Sequence, residues 1–257
     1  MLQFFKYHGA GNDFIMVDNR NGSFDKTNLQ LVRNLCHRHF GIGSDGLILI
    51  ENHPELDFTM VFFNPDGSQS FCGNASRCAI AFAKRLGIIE NKCTFLSTDG
   101  VHEGVYVSDD EIHLKMHDVE QIEIGENYYL INTGSPHFIR FVDDLENIDV
   151  YTEGKKIRYS ERFKQEGINV NFVQKITDAS IAIRTYERGV ENETLACGTG
   201  IVAAALASHL MLNSTNQLNI KARGGDLLVK FNSEGNNRFS NLWLIGSTRL
   251  VFEGNIG

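Results

Sequence analysis

Two segments half a chain apart share one design. "CGNASRCAIAFAKRLG" (Cys72–Gly87) and "CGTGIVAAALASHLML" (Cys197–Leu212) each run Cys-Gly, small polar residue, then an Ala-rich helix. Both helices are apolar nearly all round, which predicts that both are buried. Cys72 and Cys197 stand 125 residues apart in a chain of 257, and short strand-like segments surround each helix. Self-similarity at a half-chain period predicts a duplicated unit. The predicted fold class is therefore α+β, with two pseudo-symmetric halves, each a sheet around one central buried helix. Residues 1–117 form the first half, together with the last strand (250–257), and residues 118–249 the second.

The helix entrances are chemically odd. Ser, Thr, Asp or Asn belongs there, because its side-chain oxygen satisfies an orphan N–H group. A cysteine caps poorly, but the positive end of the helix dipole lowers its thiol pKa. Free cysteines are ordinarily buried structural residues, and Cys36, Cys78 and Cys93 fit that reading on a helix face, inside a helix and in a strand. The duplication sets Cys72 and Cys197 apart. Backbone N–H groups at a helix start bind anions, and the adjacent glycine lets a ligand approach closely. Two thiols straddling a carboxylate-bearing α-carbon suit removal of a proton from one face and its return to the other.

Between these segments, "LQFFKY" and "FIMVD" read as strands around the turn His8–Asp13. Thr27 is the expected N-cap of a helix running to about His39, with Phe40 on its apolar face and Gly41 as its stop. "LILIE", "FTMVFFN", "CTFLST" and "EIHLKMH" complete the strands of the first half. "YYLINTG", "HFIRFVD", "INVNFVQKI", "SIAIRTYERG", "LNIKA", "LLVKF" and "NLWLIG" serve the second. "TEGKKIRYSERF" is too polar for a core. Gly41–Gly46 fits G-x-G-x-x-G but follows a helix and precedes a strand. That order is the reverse of a dinucleotide site, so no nucleotide is expected.

A net charge of −8 argues against a nucleic-acid or anionic-membrane surface. The five cysteines lack zinc-like spacing, and His113 and His117 lack a third ligand, so no metal is expected. The first residues show no signal-peptide pattern, and no apolar run approaches a bilayer span. A cytoplasmic location with reduced thiols follows as the expectation.

The motifs "HGAGNDF", "GIGSDGL", "FFNPDGS", "CGNASRC", "GSPH", "INVNF" and "YERGVENETLACGTG" together resemble the diaminopimelate epimerases, nearly end to end. These are cofactor-independent two-cysteine enzymes. The resemblance implies two halves, each a mostly antiparallel, β-barrel-like sheet around its helix, an active site in the cleft between them, and a homodimer. It implies Cys72 and Cys197 as the acid/base thiols, with His137 and Glu187 assisting them. Gly73, Asn74, Gly198 and Thr199 would receive the α-carboxylate at the helix ends. Asn12, Asn64, Asn169, Glu187 and Arg188 match substrate-holding positions. Gly46 and Ser135 depart from the pattern of the best-known members, where some have Gln at the first position and many have Asn at the second.

The implied activity interconverts L,L- and meso-diaminopimelate in lysine and peptidoglycan-precursor biosynthesis, without cofactor or metal. A racemase of another amino acid, such as proline or histidine, would use the same two-thiol design. A one-thiol acyl-transfer hydrolase would leave the second Cys-Gly helix unexplained. A binding protein would need neither thiol.

Overall fold

The computed structural model describes residues 1–257. The chain divides into two compact units, one of residues 1–114 with 246–257 and one of residues 115–245. No helix is long and apolar enough to cross a membrane.

Unit 1 opens with a hairpin, β1 (Leu2–Gly9) and β2 (Asn12–Asp18). Its two-residue turn places Ala10 and Gly11 at φ 53° and 80°, both positive as a type I′ turn demands. Helix α1 (Leu29–Cys36) crosses over to β3 (Gly46–Glu51), which lies parallel to β2 and antiparallel to β4 (Phe58–Phe63). Helix α2 (Gly73–Arg85) then crosses over to β5 (Lys92–Ser97), parallel to β4. An antiparallel meander of β5, β6 (Gly100–Ser108) and β7 (Glu111–Lys115) follows.

Alternation along the strands explains how two helices share this sheet. Ile15, Val17, Leu47 and Leu49 cluster with Val32, Leu35 and Cys36 of α1. Phe14, Met16, Ile48 and Ile50 are equally buried and point to the other face, where α2 packs against β1, β2, β3, β4 and β6. Strands buried on both sides read as continuous apolar runs, which is why "FIMV" and "LILI" do not alternate.

Helix α1 is shorter than the sequence suggests. Asn28 caps it, its side chain accepting from the Leu31 N–H, while Thr27 bonds Asp25 instead. The helix stops at Cys36, and the N–H groups of Gly43 and Ser44 take up the carbonyls of Leu35 and Cys36. The glycine-rich segment therefore serves a helix C-terminus, and Phe40 lies exposed beyond it.

Unit 2 repeats the order. An antiparallel meander of β8 (Ile122–Ile124), β9 (Tyr129–Asn132) and β10 (Pro136–Phe141) leads to α3 (Val150–Arg158). Strand β11 (Asn169–Thr177) follows, parallel to β10 and antiparallel to β12 (Ser180–Glu187). Short β13 (Asn192–Thr194) pairs with β12 and precedes α4 (Gly198–Leu212). Then come β14 (Gln217–Ala222), parallel to β12, and β15 (Gly225–Gly235) and β16 (Arg238–Gly246). The polar "TEGKKIRYSERF" segment is largely α3. Strand β17 (Arg249–Ile256) belongs to unit 1 and pairs antiparallel with β1.

The helices again take opposite faces of the sheet. Ile168, Val170 and Phe172 pack with Val150 of α3. The alternate residues Asn169 and Asn171 point the other way, toward α4. Each unit is thus an α+β layer with the same succession of crossovers around one buried helix. Strands β6, β8 and β13 are the ones that hydrophobic patterning does not announce.

Candidate functional site

The first half-site lies where the β1–β2 hairpin meets the start of α2. Cys72 occupies the N-cap in an extended conformation, half-buried, and its side chain makes no cap bond. Its sulfur lies 3.7 Å from Asn12 Oδ1, which also accepts from Asn74 Nδ2 at 3.2 Å. Asn12 is oriented from behind, because its Nδ2 donates to Asp45 at 2.8 Å. Asp45 shares Arg38 with Asp13, which also pairs with Lys6. Burial alone would push the Asp13 carboxyl up, but hydrogen bonds from Arg38 and Lys6 outweigh it and hold it down at about 2.

Two other positions of unit 1 that the resemblance singles out serve different ends. Asn64 Nδ2 donates to Ser68 and Ser70, closing the turn after β4. At Gly46, a Cβ would stand 2.4 Å from the Phe62 ring and 2.7 Å from the Phe63 carbonyl. The glycine is there because β3 and β4 pack too closely for a side chain.

The second half-site surrounds the start of α4, where Cys197 holds the N-cap and is buried. Hydrogen bonds fix its directions one by one. Asn171 Oδ1 accepts from Thr185, and Asn171 Nδ2 donates to the Phe138 carbonyl. The same nitrogen lies 3.1 Å from His137 Nδ1, so Nδ1 is the acceptor and Nε2 carries the proton. Nε2–H donates to Thr199 Oγ1 at 2.8 Å, with Ser135 Oγ 3.0 Å away. Asn169 Oδ1 accepts from the Arg188 N–H, so its Nδ2 donates to Ser135 Oγ. The Ser135 proton then goes to Thr199, 3.1 Å away. Having accepted twice, Thr199 turns its own proton toward Cys197 Sγ at 3.5 Å.

His137 is a neutral donor in this chain. Burial is the main cause, aided by the charge of Arg188, and together they push its pKa down to about 3. Gly200 makes room for it: a Cβ there would stand 2.5 Å from Asn171 Oδ1 and 3.1 Å from His137 Cε1.

At the rim of unit 2, Glu187 accepts from Thr194 Oγ1 at 2.9 Å. Arg188 is exposed and donates to the Glu166 carbonyl at 2.9 Å. The structure gathers Asn12, Cys72, Gly73 and Asn74 at one helix start. It gathers His137, Asn169, Cys197, Gly198 and Thr199 at the other. Asn64 lies in the turn after β4, while Glu187 ends β12 and Arg188 follows it.

The chain has relatives among known proteins. The family model for diaminopimelate epimerase matches residues 4–121 and 129–251. The chain belongs to the diaminopimelate epimerase family. A diaminopimelate epimerase of Flavobacterium psychrophilum is 50% identical over 254 residues, covering 98% of this chain and 99% of the relative. One from Aquifex aeolicus is 40% identical, covering 99% and 98%. Among solved structures, a Bacillus anthracis phenazine biosynthesis protein of the PhzF family has a TM-score of 0.76 at 13% identity, covering 99% of this chain and 98% of that one. A probable proline racemase of Agrobacterium radiobacter has a TM-score of 0.72 at 14% identity, covering 100% and 93%. At such identities these two share the fold.

Several residues of the half-sites escape a motif-based reading. Asn171 and Thr185 fix the histidine tautomer, Asp45 orients Asn12, and Ser135 feeds Thr199. Asn171 did leave a signal: in "INVNF" two asparagines alternate with buried apolar residues, so a polar cluster must lie on that face.

Proposed function

We propose that the chain is an isomerase that inverts one α-carbon of diaminopimelate, L,L to meso and back, using Cys72 and Cys197 as the two acid/base groups. The observation that carries this reading is the duplication: each unit presents a cysteine at the N-cap of its buried helix. Relatives bearing the name diaminopimelate epimerase, at up to 50% identity across nearly the whole chain, support the substrate.

An α-hydrogen beside a carboxylate is very weakly acidic, so negative charge gathering on that carboxylate needs stabilisation. The first N–H groups of α2 and α4, at Gly73, Asn74, Gly198 and Thr199, supply it in fixed directions. Two bases are needed because a single base tends to return the proton to the face it left. One cysteine accepts as thiolate while the other donates as thiol, and the roles reverse for the opposite direction. Thr199 donates to Cys197 Sγ and so favours its thiolate, with neutral His137 behind it. In this reading His137 assists through Thr199, and Arg188, Asn64, Asn169 and Glu187 serve the substrate's polar groups. The chemistry assigns no cofactor or metal. The intracellular setting and the homodimer belong to the same proposal.

The test is α-proton exchange. In D2O the wild type should place deuterium at one α-carbon of diaminopimelate while leaving every other bond intact. Cys72→Ala and Cys197→Ala should each lose epimerisation by at least about a thousandfold while keeping a wild-type circular dichroism spectrum. Near-full activity in either variant would defeat the two-thiol reading. Preference for proline or histidine would replace the substrate and keep the chemistry.

A further inference from the structure

Arg77 is a charge that the reaction above leaves unexplained. It lies in α2, one turn beyond Cys72, and none of its surface is exposed. Its Nη1 donates to the Gly73 carbonyl at 3.4 Å and its Nη2 to Asn74 Oδ1 at 2.8 Å, while Nε has no partner. No carboxylate pairs with it. Strand β1 closes over it, so that a Cβ on Gly9 would stand 3.5 Å from Nη2.

A buried charge without a counter-ion is costly. A cation near a helix N-terminus is disfavoured a second time by the dipole. Packing does not demand it either. Aligned on the two cysteines, the place of Arg77 is taken in α4 by Val202, equally buried. The fold accepts a valine there, so the arginine answers a need of the first half-site alone.

The neighbouring charges are spoken for. On the strands against α2, Asp13 pairs with Lys6, Asp18 with Arg20, Glu51 with Lys26, and His102 with Asp99. Burial pushes Tyr7 up to about 12 and Tyr106 above its usual value, so both are neutral. Glu103 is exposed, and His8 on β1 makes no bond to Arg77. Burial lowers the pKa of Arg77, and the only charges opposing this are those of Cys78 and Cys72. Cys78 is fully buried and pushed upward, so it stays a thiol. Half-buried Cys72 is the group able to supply the negative charge.

We propose that Arg77 is the buried counter-charge that lets Cys72 ionise, and that its bond to Asn74 holds that amide in place beside Asn12. This positioning role rests on the two-thiol reading. Asn12 Oδ1 faces the sulfur and favours the protonated thiol, while Arg77 favours the thiolate. A group that must alternate between the two forms needs both influences.

The experiment measures Cys72 directly, in a Cys197→Ser, His8→Gln background in which the remaining cysteines are buried. The pH dependence of iodoacetamide alkylation gives the thiol midpoint without substrate. Arg77→Met should raise it by at least about one pH unit and slow alkylation at neutral pH about tenfold. Arg77→Lys, which keeps the charge, should restore most of the rate. An unchanged midpoint in Arg77→Met overturns the proposal. Should that variant fail to fold, the 15N resonance of Arg77 Nε in the wild type decides. It should inflect at the Cys72 midpoint and lose that inflection in Cys72→Ala. A flat resonance, or one indifferent to Cys72→Ala, overturns the proposal equally. Because neither readout uses diaminopimelate, failure of α-proton exchange would sink the enzymatic reading and leave these thiol measurements to be judged separately.

Discussion

His137 carries a pH dependence whose sign follows from its burial. Its pKa is about 3 in the folded chain against an ordinary 6.5. As pH falls below 6.5 the unfolded chain takes up a proton that the folded chain refuses until about 3, so stability falls across that window. The loss is about 1.4 kcal/mol per pH unit at most. Asp13 contributes at lower pH, its stabilisation fading as pH drops from 3.8 through about 2. Glu123 and Glu191, both held below their ordinary 4.5, contribute equally to wild type and variant, so the comparison with His137→Gln in denaturant unfolding isolates the histidine. Wild type should lose more stability between about pH 7 and 4 than His137→Gln, and parallel curves would refute the neutral assignment. Arg188 carries the specificity of the reading. Its exposed guanidinium holds only a backbone carbonyl and is assigned to the substrate's far carboxylate. Arg188→Ala should cost roughly 2–5 kcal/mol in kcat/KM for diaminopimelate, and much less for an amino acid without the far head. Equal losses would place Arg188 at the reacting end. Residue types name candidate groups, yet not their directions. The tautomer of His137 depends on Thr185 through Asn171, a chain of contacts brought together by β10, β11 and β12 rather than by sequence neighbours.

At the scale of elements, α4 begins with a conflict that magnitudes resolve. Alanine is a better helix former than glycine by about 1 kcal/mol, so Gly200→Ala should stabilise an isolated helix. In this chain the new methyl would stand 2.5 Å from Asn171 Oδ1 and against the His137 ring. Overpacking of that kind costs about 1–3 kcal/mol, and the displaced groups are those that aim Thr199 at Cys197. Gly200→Ala should therefore lower the melting temperature and reduce kcat about tenfold or more, whereas the same change at exposed Gly235 should leave kcat alone. A more stable, fully active Gly200→Ala protein would contradict the close packing. The two central helices were legible because their apolar composition leaves them no other place. Helix α1 was legible only in part: Thr27 and Asn28 are both good caps, and the choice fell to Asn28 because Asp25 engages the Thr27 hydroxyl and amide. Strand β6 escaped notice because His102 and Gly104 interrupt its apolar pattern. Both face inward, and Gly104 does so because a Cβ would stand 2.4 Å from Ile80 of α2.

For the whole molecule, the duplication in sequence and the repeated succession of crossovers describe one event at two levels. What the repeat does not duplicate is the chemistry around each thiol. Cys72 has an amide oxygen against its sulfur and the buried Arg77 guanidinium within the helix it caps, whereas Cys197 has the Thr199 hydroxyl, to which the His137 imidazole in turn donates. Unequal surroundings suit the unequal tasks of the proposed two-thiol reaction, in which one sulfur accepts a proton while the other gives one. This division leaves an isotopic signature. A thiolate that removes the α-proton becomes a thiol carrying that proton, while the opposite thiol delivers a proton drawn earlier from solvent. In D2O, product formed early from the L,L isomer should therefore carry close to one deuterium per molecule, while unreacted substrate stays almost free of label. A single base that swings between faces would return much of the original proton and yield product with little deuterium. Mass spectrometry of both isomers at low conversion separates the two cases. The same measurement run from the meso isomer must give the mirrored result. Protium retention in the product of either direction would mean that one thiol serves both faces.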